Sequence, residues 1–161
     1  MIKLLSSIFF LTTIAVAQHA NASQAILNKD GDTGLAAFTD AVQVNMDPSV
    51  FGQAMTDELT LVVAAIRYSE NGGPGREYGI LHPRCPNTYR GQAGWCCATV
   101  YKNFGRYLET EPAHPIWMGD FIKFLGDRYA PIDAKNDPNG LNANWVPNVT
   151  SFYLNFNAGI F

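Results

Sequence analysis

The feature that most constrains the fold is a set of four segments in which apolar residues recur at helical spacing. In the first segment, Leu59, Val62, Val63 and Ile66 follow the i, i+3, i+4, i+7 pattern of one helix face. The four segments begin near residue 56, cover about 88–108 and 116–129, and resume from about residue 144. No segment shows the sustained alternation of an amphipathic strand, so the pattern predicts a mainly helical protein.

Two long loops rich in glycine, proline and asparagine separate these helices. Residues 71–75 read Asn-Gly-Gly-Pro-Gly, which cannot be helical, and residues 131–142 form the second loop. Residues 78–81, just after the first loop, have the composition of a short strand. The expected fold class is therefore mainly α (α+β), with a small β or irregular excursion after the first core helix.

Composition limits the size and the partners of the domain. The chain has 161 residues, of which 47% are hydrophobic, 12% aromatic and 16% charged, with a formal net charge of −3. This length suits one compact domain, and the many aromatic residues exclude disorder for most of it. With no overall basic field, nucleic acid is not expected as a partner.

The N-terminus has the features of a secretory signal peptide covering residues 1–22. Lys3 supplies the positive charge, residues 4–17 form an uncharged and largely apolar run, and two small-x-small sites end at Ala17 and Ala22. The second site is preferred, because the polar pair after Ala17 leaves the first little room. The apolar run is shorter than the roughly 20 residues of a transmembrane helix. We therefore expect a secreted or periplasmic protein without a stable membrane anchor.

Residues 23–50 are predicted to form a polar N-terminal segment ahead of the folded domain, residues 51–161. Asn28, Asp30 and Asp32 alternate like the start of a calcium loop, but the glycine and the closing glutamate of an EF-hand are absent. A solvated turn is expected here.

Glu70 is the principal candidate for a catalytic residue. It lies four residues after Ile66, so it continues the buried stripe of the first helix. It also falls at the predicted helix C-terminus, where the macrodipole disfavours a negative charge. Both effects raise the pKa of a carboxyl group, as a general acid near neutral pH requires. The glycine-rich turn that follows would let a ligand approach the backbone closely.

Two short segments surround Glu70: residues 66–73 read Ile-Arg-Tyr-Ser-Glu-Asn-Gly-Gly, and residues 75–81 read Gly-Arg-Glu-Tyr-Gly-Ile-Leu. Together they resemble the catalytic stretch of the lysozyme-like superfamily. Lytic transglycosylases and related glucosaminidases have a helix ending in Glu, a Gly/Asn-rich turn and an aromatic-Gly-aliphatic segment. Residues 128–131, Arg-Tyr-Ala-Pro, and the Asn-Asp-Pro of residues 136–138 resemble a later region of bacterial glucosaminidases and phage-type lysozyme-like proteins. The resemblance covers about residues 58–156.

The resemblance implies a lysozyme-like catalytic domain in which Glu70 is the acid and Tyr129 assists the transition state. It also implies that the acetamido group of the substrate can act as internal nucleophile. The pair that follows the aromatic-Gly segment is His82-Pro83, where transglycosylases have Gln-Ile, so hydrolytic and lytic reactions both remain open. Glu77, Asp133 and Asp137 are the candidates for a second carboxylate, and none is preferred.

Aromatic and amide side chains in the two loops suit a sugar-binding groove. Aromatic rings would stack on pyranose faces, and amides would bond hydroxyl and acetamido groups. The expected substrate-binding residues are Asn71, Tyr78, Gly79, His82, Gln92, Asn136, Asp137, Asn142 and Trp145. The expected function is cleavage of β-1,4 bonds between amino sugars of peptidoglycan, with neither a cofactor nor a metal.

Two alternatives remain. One is a non-catalytic module on the same fold that binds cell-wall glycan. The other is a cysteine-dependent peptidase or amidase, with Cys96 or Cys97 as nucleophile and His114 as its partner. In an oxidising compartment, Cys85 could instead form a disulfide with Cys96 or Cys97.

Overall fold

The computed structural model describes residues 2–70, 72–110, 117–135 and 137–161, with side chains from residue 18 onward. The described residues form six α-helices and one single-turn 3-10 helix. The α-helices are α1 (Ile2–Asn45), α2 (Pro48–Phe51), α3 (Gln53–Ser69), α4 (Tyr89–Thr110), α5 (Met118–Tyr129) and α6 (Trp145–Asn157), and the 3-10 helix is Leu141–Asn144. The prediction of a mainly helical fold is confirmed.

Helix α3 lies at the centre of the domain. All side chains from Leu59 to Ile66 are completely buried, and the helix packs against α1, α4 and α6. A helix that is apolar on every side must be surrounded in this way. The apolar run therefore places the C-terminal end of α3, and with it Glu70, at a fixed point among the surrounding helices.

Helices α4, α5 and α6 agree with the predicted segments to within about two residues at the ends that the structure describes. Helix α5 packs between α4 and α6, where Phe121 meets Phe104 edge to face at a ring separation of 5.2 Å. This packing brings the end of α5 beside the beginning of α6, and both face the end of α3.

Helix α1 differs from the prediction for residues 23–50. The segment is helical to Asn45, with a kink at Gly31 (φ 69°, ψ −169°), and it packs along α3 and α4. Ile26 and Phe38 are almost fully buried. The expected solvated turn at residues 28–32 is wrong for Asp30, which is only 10% exposed and pairs with Arg67 of α3. The segment therefore belongs to the core of the domain.

Residues 72–88 connect α3 to α4 without regular structure, so the predicted short strand at residues 78–81 does not form within the described chain. Residue 80 nevertheless has its backbone N–H and C=O paired, because both bond the side-chain amide of Gln92. Among the described helices, none has both the length and the hydropathy needed to cross a bilayer.

Candidate active site

Glu70 terminates α3 at the wall of an open groove. Its backbone N–H bonds the carbonyl of Ile66 at 2.9 Å, while its own backbone is extended (φ −85°, ψ 127°). The chain therefore leaves the helix at this residue, and the half-buried side chain lines the groove. The prediction that Glu70 lies at the helix end, facing inward, is confirmed.

The carboxyl group of Glu70 is held in an environment that favours its protonated form. Burial raises its pKa above the ordinary value, and this effect exceeds the opposing effects of a hydrogen bond from Trp145 and the positive charge of Arg67. The indole N–H of Trp145 donates to Oε1 of Glu70 at 3.1 Å. Because Oε1 is occupied in this way, Oε2 is the oxygen left to carry a proton.

The Glu70 carboxyl group packs directly against Gly79. The φ of +68° at Gly79 is in the left-handed region, which favours glycine. A Cβ atom at this position would lie 2.4 Å from Oε2 of Glu70, closer than side chains can approach. The backbone at position 79 therefore favours glycine, and a larger residue would displace the Glu70 carboxyl group.

Asp30 and Arg67 form a buried clamp behind the site that was not predicted from the sequence. Arg67 bonds Asp30 through Nε at 2.9 Å and through NH2 at 2.6 Å, in a two-point geometry. Its remaining nitrogen, NH1, donates to the backbone carbonyls of Glu70 at 3.3 Å and Glu77 at 3.2 Å. The clamp thus ties the end of α3 to residue 77, within the loop that follows, and it fixes where Glu70 leaves the helix. The signal in the sequence was a single cation following a long apolar run.

Tyr89 extends this clamp to α4. Its hydroxyl donates to Asp30 at 2.7 Å and lies 3.1 Å from the hydroxyl of Tyr78. Burial raises the pKa of Tyr78 well above its ordinary value. Tyr78 is completely buried and does not line the groove, so its predicted stacking on a sugar ring is wrong. Tyr78 is instead a core residue, and its buried hydroxyl is hydrogen-bonded to that of Tyr89.

The groove has a volume of about 740 Å³ and runs between the end of α3, the middle of α4 and the beginning of α6. Seven of the predicted site residues line it, namely Glu70, Gly79, His82, Tyr129, Asp137, Asn142 and Trp145. Asn71 and Asn136 were also predicted to bind substrate, and both lie outside the described residues. The groove is large enough for a small ligand or for several sugar units of a polymer.

Tyr129 and Trp145 form an aromatic wall beside the carboxyl group. Their rings stack at a centroid distance of 5.1 Å with an interplanar angle of 26°. The Tyr129 hydroxyl donates to the backbone carbonyl of Tyr78, and burial raises its pKa well above the ordinary value. Tyr129 therefore offers its ring to the groove, while its hydroxyl braces the residue before Gly79.

Asp137 lines the groove, but its carboxylate is occupied by the loop that carries it. The two oxygens accept the backbone N–H groups of Leu141 and Asn142, each at 2.8 Å. Asn142 in turn donates to the carbonyl of Pro131 at 2.8 Å. Among the described lining residues, the carboxylates are Glu70 and Asp137. Asp137 therefore orders its own loop, whereas Oε2 of Glu70 has no hydrogen bond to another described residue.

His82 and Trp95 lie at the α4 side of the groove. Their rings stack at 4.8 Å with an interplanar angle of 27°, and His82 Nδ1 accepts the backbone N–H of Arg84 at 3.2 Å. Trp95 was not predicted as a site residue, although its neighbour Cys96 was considered. The pair gives the groove a second flat surface on which a sugar ring can stack.

Gln92 and the cysteines do not contribute to the groove. Gln92 is completely buried, and its amide bonds both backbone groups of Ile80, so its predicted contact with substrate is wrong. A glutamine amide can hydrogen-bond a sugar, but here the amide of Gln92 is used to pair the backbone of the irregular loop.

The three cysteines are all buried free thiols, so the predicted disulfide from Cys85 to Cys96 or Cys97 is not formed. Cys85 instead lies 3.4 Å from the Gln92 amide, and Cys96 lies 3.7 Å from the Tyr129 hydroxyl. Burial raises the pKa of Cys97 to about 12 and that of Cys96 well above its ordinary value. Neither thiol has the lowered pKa of a nucleophile, and His114 lies outside the described residues.

No group of three or more His, Cys, Asp or Glu side chains in the described chain is arranged to hold a metal ion. The groove places the Glu70 carboxyl group, whose pKa burial raises, beside aromatic side chains. Comparisons with family models, with curated proteins and with solved structures find no match to this chain.

Proposed function

We propose that this chain is an exported, lysozyme-like glycosidase that cleaves β-1,4 bonds between amino sugars of peptidoglycan. The observation that carries the proposal is the Glu70 carboxyl group, whose pKa burial raises, facing a groove with aromatic walls. Neutral sugar rings suit such walls, because their C–H faces stack on aromatic rings while their hydroxyl groups remain hydrogen-bonded.

Glu70 acts as the general acid. In its protonated form, Oε2 donates its proton to the glycosidic oxygen as the bond to the anomeric carbon breaks, and the positive charge develops on the sugar ring. The oxygen of a water molecule, or of a hydroxyl of the same sugar, then bonds to the anomeric carbon, and the Glu70 carboxylate accepts the proton which that oxygen loses. In the first case the reaction is hydrolytic, and in the second it is lytic.

A single free carboxyl group can support either course. Both oxygens of Asp137 are bonded to backbone N–H groups, so the proposal gives Asp137 no catalytic role. The acetamido oxygen of the substrate can occupy the position of a nucleophile on the ring. Tyr129 supports the reaction in two ways: its hydroxyl bonds the backbone carbonyl of Tyr78, next to Gly79, and its ring contacts the substrate.

Release of soluble fragments from purified peptidoglycan tests this function. Wild-type protein should release them, and Glu70→Gln should lower the rate by about 10²–10⁴-fold, the usual contribution of acid–base catalysis. Borohydride reduction of the products separates the two courses, since hydrolysis leaves a reducible end and intramolecular attack does not. Wild-type protein that releases nothing from any peptidoglycan would contradict the proposal.

A glycan-binding module without catalysis is the second candidate. It is favoured by the engagement of Asp137, which leaves the groove without a free second carboxylate. Protein that cosediments with peptidoglycan but releases no fragments would support this candidate over the first.

Export would require cleavage of the N-terminal segment, and packing favours Ala17 over Ala22 as the last residue removed. The Gln18 amide bonds Glu58 of α3 and Asn157 of α6, and Ala22 is completely buried. Cleavage after Ala22 would remove these contacts, so we expect the mature chain to begin at Gln18. The intact mass of the exported protein gives the result, and a chain beginning at Ser23 would contradict it.

A further inference from the structure

A second cleft of about 520 Å³ lies beside the candidate groove along α4. Its floor is made by small residues, including Gly91, Gly94 and Ala98, so the helix surface is open there. Arg90, Lys102 and Arg106 lie around it, and we call this surface the basic cleft.

The basic cleft lies directly beside the groove that contains Glu70. Trp95 and Thr99 line both cavities, and one helix, α4, carries these shared residues. A polymer whose sugar rings lie in the groove would therefore bring the substituents of a neighbouring sugar to the basic cleft.

The charge of the basic cleft is opposite to that of the whole chain. The chain has a net charge of −3, yet three of its 11 Lys and Arg residues line this cleft, and no described lining residue is acidic. Arg90 is paired with Asp40 at 2.6 Å, and Arg106 bonds the amide oxygen of Asn103. Neither Lys102 nor Arg106 forms an ion pair within the described residues. Their two charges are thus available to an anion.

We propose that the basic cleft binds a carboxylate group of the stem peptide attached to the glycan whose sugar rings occupy the groove. This inference rests on the proposed function and specifies its substrate, a peptide-substituted glycan in preference to a neutral one. Arg106 and Lys102 hold the carboxylate by charge, and Trp95 separates the sugar-binding surface from the peptide-binding surface. A cleft with cations at its rim has a positive local electrostatic potential, even when the net charge of the protein is negative.

Binding to two matched ligands tests the proposal. The protein is the full chain carrying Glu70→Gln, which slows turnover. Calorimetry compares its binding of a disaccharide–peptide fragment of peptidoglycan with its binding of a neutral N-acetylglucosamine oligomer. Adding Lys102→Gln and Arg106→Gln should raise the Kd for the peptide-bearing fragment by about five- to tenfold, as exposed ion pairs allow, and leave the neutral oligomer unchanged. The loss should shrink as salt is added, because salt screens exposed charges.

The control variant carries Lys123→Gln and Lys135→Gln, two exposed cations outside both cavities. It has the same net charge as the test variant and should bind both ligands as the parent does. Equal weakening by the two variants, weakening for the neutral oligomer as well, or no binding of the peptide-bearing fragment would overturn the proposal. Selective binding of that fragment by a wild-type protein that cleaves no glycan would retain the cleft and reject the glycosidase function.

Discussion

Replacing Gly79 by alanine should disable the site with a modest loss of stability. The φ of +68° costs an L-residue about 1–2 kcal/mol, which lowers the Tm by about 2–8 °C for a domain of this size. The new Cβ would lie 2.4 Å from Oε2 and 2.5 Å from Cδ of Glu70, whereas ordinary contacts begin at 3.4 Å. The carboxyl group must therefore move by about 1 Å, a displacement that can lower a catalytic rate by about 100-fold.

Gly140 provides the matched control for this substitution. It has the same φ of +68°, but a Cβ there would meet no atom within 4 Å. Gly140→Ala should therefore lose similar stability while keeping most of its activity. The two variants are compared by thermal unfolding and by the rate of fragment release from peptidoglycan. Equal activity in the two variants would refute the claim that the Glu70 carboxyl group keeps its position because residue 79 has no Cβ atom.

Two further substitutions test the surroundings of the carboxyl group. Trp145→Phe removes the N–H that lowers the pKa of Glu70, so the carboxyl group should stay protonated to higher pH. The alkaline limb of the kcat/KM profile should therefore shift to higher pH, and an unshifted limb would contradict this. Asp30→Asn leaves a buried guanidinium without its counter-charge and should lower the free energy of unfolding by about 3 kcal/mol. The exposed pair of Asp40 gives the comparison, since Asp40→Asn should cost less than about 1 kcal/mol; equal losses in urea unfolding would refute the assignment of Asp30 to a buried clamp.

The position of Glu70 was predictable from the sequence because it depends on local periodicity. Ile66 and Glu70 lie one helical turn apart on α3, and the glycine-rich turn ends the helix where the composition indicates. Helices α4, α5 and α6 were found for the same reason. Their apolar residues recur often enough at helical spacing for the helices to be recognised from one sequence.

The clamp behind Glu70 was not predictable, because its partners are far apart in the chain. Asp30 and Arg67 are separated by 37 positions, and their pairing depends on how α1 packs on α3. The burial of α1 was hidden by the polar residues between Ile26 and Phe38, which dilute its apolar pattern. Tertiary packing determined the outcome there, and local propensity did not.

Assignments by residue type alone failed where the backbone needed the same groups. Gln92 and Tyr78 have side chains that suit a carbohydrate, but an irregular loop must satisfy its buried polar groups. Gln92 bonds the backbone of Ile80, and the Tyr78 hydroxyl joins that of Tyr89. A tertiary structure was needed to distinguish these roles from contacts with substrate.

The proposed proton transfer from Glu70 to the leaving oxygen can be tested with an activated substrate. A glycoside whose leaving group is a strongly acidic phenol departs without protonation, whereas a sugar leaving group needs it. The measurement is the rate loss caused by Glu70→Gln on an amino-sugar oligomer compared with its loss on the dinitrophenyl glycoside. We predict a loss of about 10²–10⁴-fold on the oligomer and a far smaller loss on the activated glycoside. Equal losses on the two substrates, or no loss on either, would contradict the role of Glu70 as general acid.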